Sequence, residues 1–236
     1  MKAFLNWSGG KDSSFCLHKA KEQGIAIDAL VTTINQKHNR ISMHGVRRSL
    51  LELQAASIQL PLHTIEMPEN ASMDIYEELI TQSNQQLKHQ GFTHVVSGDL
   101  FLEDLKTYRE QLYARNQLTC LFPIWTTNTK TLMNEFISLG FKAIIVCVNA
   151  SVLDRSFCGR LIDQAFVNDL PANVDVCGEN GEYHSFVFDG PVFSEPVRFS
   201  EGEIVYQEYP APLKDDCFKT PQPASGFYFQ DLIPGE

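Results

Sequence analysis

Ser8-Gly9-Gly10-Lys11-Asp12-Ser13 gathers two adjacent glycines, two hydroxyls, an ammonium and a carboxylate into six residues. The glycines let the backbone turn sharply and approach a ligand closely, so successive N–H groups can face phosphate oxygens beside the positive end of a following helix. Ser8 and Ser13 add hydroxyl donors and Lys11 a mobile positive charge. Asp12 is repulsive beside phosphate unless it holds a magnesium ion or caps the backbone. A second polar cluster, Gly178-Glu179-Asn180-Gly181-Glu182-Tyr183-His184-Ser185, sets two glutamates, a histidine and a serine among glycines. Such a loop can surround a cation or an amine, and its composition also suits a solvated surface turn. His44 and Arg47, three residues apart, could grip an anion from one helix face or stand exposed. Arg109, with Glu110 beside it and Glu103-Asp104 one to two turns earlier, fits a ligand contact or an intrahelical ion pair. The chain has neither G-x-x-x-x-G-K-[ST] nor G-x-G-x-x-G, and its seven histidines include no H-E-x-x-H.

The elements that position these residues follow from hydrophobic periodicity. Lys2 to Trp7 reads as a strand, and Phe15, Cys16 and Ala20 recur at helical spacing until Gly24. Strands are expected at Asp28 to Ile34, Leu62 to Met67, His94 to Ser97 and Lys142 to Val148, alternating with helices at Arg47 to Leu60, Ala71 to Gln90, Leu105 to Asn116 and Asn128 to Leu139. That alternation predicts an α/β fold with a doubly wound, mainly parallel sheet over residues 1–148, its first loop at the carboxyl edge where such sheets bind ligands. Beyond Asn149 glycine and proline become frequent, which predicts a smaller C-terminal α+β region over 149–236 with a lone strand at Glu203 to Tyr209. From Pro210 onward an irregular, partly mobile tail is expected, whose Phe227-Tyr228-Phe229 can dock on the body or on another subunit of a homodimer.

The 236-residue chain has a net charge of -10 with 43% hydrophobic and 20% charged residues, an ordinary globular composition. The negative charge disfavours nucleic acid as a partner unless basic residues cluster on one face. Six cysteines without a C-x-x-C pair argue against a zinc ribbon and fit a reduced cytoplasmic setting. No signal peptide and no apolar run of membrane-spanning length is evident.

The phosphate loop resembles the PP-loop of the adenine nucleotide alpha hydrolase-like (HUP) superfamily, whose motif is S-G-G-x-D-S at this place. The resemblance implies ATP held at Ser8, Gly9, Gly10, Lys11, Asp12 and Ser13, with attack at the α-phosphorus releasing AMP and pyrophosphate. Later residues are similar to the G-E-x-G-E-Y-H-T…D-G-P signature of the diphthine–ammonia ligase family, here Gly178 to Ser185 and Asp189-Gly190-Pro191, with Ser185 in the place of threonine. Gly98-Asp99, Arg109-Glu110 and Phe122-Pro123-Ile124-Trp125 fall where that family has G-D, an arginine-bearing helix and P-L-W.

The family resemblance implies an ATP-dependent ligase that forms an amide from a carboxylate acceptor and ammonia through an adenylylated intermediate. Lys11, Asp12, Glu179, Glu182 and His184 are the implied catalytic residues. Asp99, Arg109, Glu110 and Ser185 are the implied substrate contacts, joined by His44 and Arg47 on the strength of their spacing, and magnesium would enter with ATP at Asp12. Ile41 to Arg47 and Gly98 to Asp104 depart from the family pattern and are expected to line the acceptor pocket. The chain lacks the extra C-terminal domains of eukaryotic members and so resembles a prokaryotic branch. Because bacteria do not make diphthamide, the acceptor stays open. The rival readings are a PP-loop tRNA-modifying enzyme and a nucleotide-binding sensor without chemistry.

Overall fold

A computed structural model of the chain describes residues 1–42, 44–69, 71–209 and 225–235. The first strand, β1 (Ala3–Asn6), leads through the phosphate loop into α1 (Lys11–Glu22), followed by β2 (Ala29–Asn35), β3 (Arg40–Ile41), α2 (Arg48–Ile58) and β4 (Leu62–Met67). Next come α3 (Met73–His89), β5 (His94–Val96), α4 (Glu103–Ala114) and β6 (Thr119–Leu121). Parallel pairing of β1 with β2 and β5, of β2 with β4 and of β5 with β6 gives the order β4-β2-β1-β5-β6, with the two-residue β3 antiparallel to β2. The chain therefore builds outward from β1 through β4 and returns to lay β5 on its other side. The crevice between β1 and β5 is the switch point of the sheet.

Side chains alternate strictly across this sheet, so both faces are buried, as parallel strands require. Leu5, Leu30 and Val96 belong to one core with Phe15 and Leu17 of α1 and Leu50 and Leu51 of α2. Phe4, Val31 and Val95 belong to a second core with Ile80 and Leu87 of α3 and Leu112 and Tyr113 of α4. Burying each such large side chain is worth about 2 kcal/mol.

The second half differs from the expectation in three ways. After α5 (Thr129–Ser138), the strand β7 (Lys142–Asn149) pairs antiparallel with β8 (Tyr183–Asp189), placing it in a separate sheet. A 3-10 turn (Arg155–Phe157) and α6 (Gln164–Asp169) intervene before β8. The expected lone strand is part of β9 (Phe199–Tyr209), which pairs along its length with β10 (Ser225–Pro234). The order of this sheet is β8-β7-β10-β9. The tail read as irregular thus holds a ten-residue strand, and residues 210–224 lie outside the described ones. Prolines masked the strand in sequence, whereas pairing with β7 and β9 creates it. Phe227, Tyr228 and Phe229 dock on the body, opposite Asn149, Val148 and Cys147.

Candidate active site

The phosphate loop has the geometry that its glycines suggest. Gly9 sits at φ +75, and a Cβ there would lie 2.6 Å from Gln54 Oε1 and Leu51 Cδ2. A Cβ on Gly10 would meet His44 Cε1 at 2.9 Å and the Ser185 carbonyl oxygen at 3.0 Å. Gly10 is the N-cap of α1 and gives the helix no side-chain cap. The first-turn N–H groups of α1 therefore face the cleft without a capping side chain, apart from the Lys11 N–H, which donates to Ser185 Oγ at 3.1 Å. Ser8 and Ser13 meet hydroxyl to hydroxyl at 3.1 Å, and Ser13 Oγ donates to the Gly10 carbonyl at 3.0 Å. Across the switch point the β5–α4 loop comes equally close, since a Cβ on Gly98 would be 2.9 Å from the Asp12 carbonyl oxygen.

Strand β8 welds the second sheet to this loop. Val187 donates its N–H to the Gly9 carbonyl at 2.9 Å, and Gln54 donates to both Gly9 and Val187 carbonyls at 2.9 and 2.6 Å. The buried Gln54 also accepts from Trp7 Nε1 at 3.0 Å, so one amide joins β1, the loop, α2 and β8. A lone glutamine in an apolar helix face carries no motif, and nothing in its sequence neighbourhood marked it.

Lys11 is 3% exposed, and its Nζ lies 2.7 and 2.8 Å from the Asp12 carboxylate oxygens and 3.8 Å from Glu179. Burial pulls the ammonium's pKa down, but Asp12, Cys177, Tyr183 and Glu179 outweigh it and hold the charge firmly. Burial and the Asp12 carboxylate push Glu179 well above the carboxylate range, against the pull of Lys11.

His44 and His184 stack with ring centroids 4.6 Å apart. His44 Nδ1 lies 3.2 Å from the Ser185 carbonyl oxygen, and donating there leaves Nε2 as an acceptor. Burial lowers the His44 pKa to about 4 and that of His184 well below its ordinary value, so both rings are neutral. His184 Nε2 is buried without a hydrogen-bond partner among the described residues. On the other wall, Arg109 Nε stands 2.8 Å from Asp99 Oδ2. Asn6 donates to Ser97 Oγ at 2.7 Å and accepts from the Tyr113 hydroxyl at 2.9 Å.

These groups line one cleft of about 570 Å³, which brings together Ser8, Lys11, Asp12, Ser13, His44, Asp99, Arg109, Glu179, His184 and Ser185. Gly9 and Gly10 form the backbone beneath it. Three expected residues turn elsewhere. Glu182 is 4% exposed, and its carboxylate accepts from the Asp175 N–H at 3.0 Å, the Asn180 N–H at 2.8 Å and Asn180 Nδ2 at 2.9 Å. It braces the loop that presents Glu179. Arg47 binds Asp231 at 2.6 Å, and Glu110 is exposed on α4. Arg109 pairs with Asp99 rather than within its helix, and the stretches 41–47 and 98–104 do reach the cleft, through Ile41, Ser42, Gly98 and Leu102 among others.

The diphthamide synthase N-terminal domain matches residues 1–118 and the diphthamide synthase C-terminal domain residues 128–211. The diphthine–ammonia ligase of Danio rerio is 30% identical, over 89% of each chain, and that of Homo sapiens is 27% identical, over 84% of this chain and 82% of its own. The Schizosaccharomyces pombe ligase is 26% identical over 91% of this chain, which covers 40% of it. Greater length thus sets the yeast relative apart, while the vertebrate ones are close in length. A solved chain from Methanocaldococcus jannaschii, described as a predicted subunit of tRNA methyltransferase, is 20% identical over 62% of this chain and 80% of its own, with a TM-score of 0.42. With both family domains matched in order along one chain, and the phosphate loop and the 178–185 segment closing one cleft, this chain belongs to the diphthine–ammonia ligase family of ATP-dependent, amide-forming ligases.

Proposed function

We propose that the cleft binds ATP with its β- and γ-phosphates on Ser8 to Ser13, joins a carboxylate acceptor to the α-phosphorus, and passes the acyl group to ammonia. The observation that carries this is the meeting, in one cleft, of the α1 N-terminus with the 178–185 segment some 170 residues away, Lys11 lying 3.8 Å from Glu179. An acceptor carboxylate oxygen would bond to the α-phosphorus as the bond to the β-phosphate oxygen breaks. Lys11 and the first-turn N–H groups of α1 would neutralise the departing pyrophosphate. Ammonia would then add to the acyl carbon and lose a proton as AMP leaves. His44 Nε2, left as an acceptor by the Nδ1 contact to the Ser185 carbonyl, and Glu179 once the pH exceeds its raised pKa are the groups placed to take it.

Among the described residues no group of three or more His, Cys, Asp or Glu side chains forms a metal site of its own. A magnesium ion would therefore rest on nucleotide phosphates, with Asp12 as the chain's own ligand, and would offset phosphate charge. Carboxylates of diphthine type are the first acceptors to try, because the relatives carry that name. The decisive measurement is product analysis with magnesium, α-labelled ATP, ammonium and a panel of carboxylates. AMP and pyrophosphate are expected in equal amounts. ADP in their place would refute α-phosphorus chemistry, and tight ATP binding without turnover across a broad panel would make the protein a sensor.

A further inference from the structure

We propose that Asp231 is a positioning residue, which from β10, opposite a bulge in β9, holds Arg40 and Arg47 and through them seats His44 against the phosphate loop. The pairing of β10 with β9 slips between Gln230 and Leu232, where the single residue Asp231 of β10 lies opposite two residues of β9, Gly202 and Glu203. A bulge sharpens the local twist of the strand pair, and the Asp231 carboxylate beside it meets two arginines of the segment after β2. Asp231 Oδ1 accepts from Arg40 Nη2 at 2.8 Å and from Arg47 Nε at 3.1 Å, while Oδ2 accepts from Arg47 Nη2 at 2.6 Å. The bidentate contact to Arg47 fixes direction as well as distance.

Arg40 carries the restraint onward, because its Nη1 donates to the Gly45 carbonyl at 2.7 Å. Gly45 takes φ +69, with Phe229 of β10 against it so closely that a Cβ would lie 2.8 Å from Phe229 Cδ1. His44, one residue earlier, thus has its backbone held from β10 and its ring held from β8 by His184 and the Ser185 carbonyl. The groups facing its imidazole are Lys11 from α1 and His184 and the Ser185 carbonyl from β8. Neither pair is deeply buried, since Asp231 is 19%, Arg40 31% and Arg47 38% exposed along the side chain. Such contacts add little stability. Their consequence is geometric, and β10 becomes a working part of a site built on the other sheet.

The inference rests on the proposed nucleotide site only for its second readout. The first is the His44 imidazole in the full-length, nucleotide-free protein, followed by NMR titration and assigned by comparison with His44→Gln. In the wild-type chain the ring should stay neutral to about pH 5, because its pKa lies at about 4. Asp231→Asn should release it to titrate towards its ordinary 6.5. Asp231→Glu should restore most of the wild-type behaviour, and Arg47→Gln, which leaves β10 untouched, should reproduce part of the change. Melting temperatures should stay within about 4 °C of wild type. The second readout is calorimetric binding of a non-hydrolysable ATP analogue, expected to weaken about tenfold in Asp231→Asn. An unchanged His44 titration in both Asp231→Asn and Arg47→Gln would overturn the proposal. A shifted titration with unchanged nucleotide affinity would uphold the strap and remove His44 from the nucleotide's surroundings.

Discussion

Lys11 keeps its charge inside the protein because the Asp12 carboxylate and Glu179 surround it, an arrangement that stores positive charge at the helix end where phosphate charge would develop. Lys11→Met should therefore lower the rate of pyrophosphate release about 10²- to 10³-fold, measured by coupled pyrophosphate assay. Glu179 is the complementary case. Its folded pKa is raised from the ordinary 4.5, so the folded state keeps a proton that the unfolded state gives up. That contribution to stability is complete below about pH 4.5 and is lost as the pH rises through the folded value. Glu179→Gln should be close to neutral at pH 4 and stabilising by about 1–2 kcal/mol at pH 8, by urea unfolding. For Glu182 the geometry supports bracing instead of chemistry. Glu182→Ala should cost about 3 kcal/mol, since two backbone N–H groups lose a charged acceptor, and the lost turnover should follow the lost stability. Sequence placed both glutamates in one polar loop. Which of them faces the cleft depended on Asp175 and Asn180 turning their N–H groups towards Glu182, a contact no spacing rule foretells.

At the scale of elements, α1, α2, α3, α4 and the first-sheet strands other than the two-residue β3 and the three-residue β6 were legible, because each repeats apolar residues at its own period and most end near glycine or proline. The second sheet was poorly legible. Antiparallel strands such as β9 and β10 gain their hydrogen bonds from partners far along the chain, and their mixed polar and aromatic residues have no strong period of their own. Gln54 belongs to this scale, as it holds three elements together from inside α2. Gln54→Leu should leave the Gly9 and Val187 carbonyls without their side-chain donor, destabilise the protein by about 2–4 kcal/mol in urea unfolding, and weaken nucleotide binding along with it.

The whole molecule has two sheets and yet one continuous core across them. Leu5 and Leu17 of the first half pack in the same cluster as Ile145, Phe186 and Leu232 of the second. Calorimetry should accordingly show a single unfolding transition for both halves, in contrast to the two expected of independent domains. An ATP analogue at a hundred times its Kd should raise the midpoint by about 5–11 °C, through about 2.7 kcal/mol of binding linkage. A short glycine-serine loop between a strand and a helix sets its own backbone, so the S-G-G-K-D-S cradle, its place at a parallel sheet edge and the charge of Lys11 were written in the sequence alone. What faces that cradle was not, because Ser185, His44 and Asp231 reach it or its neighbours across sequence separations of 174, 141 and 184 residues. Only the packing of one sheet against the other could decide which polar groups the phosphate loop meets.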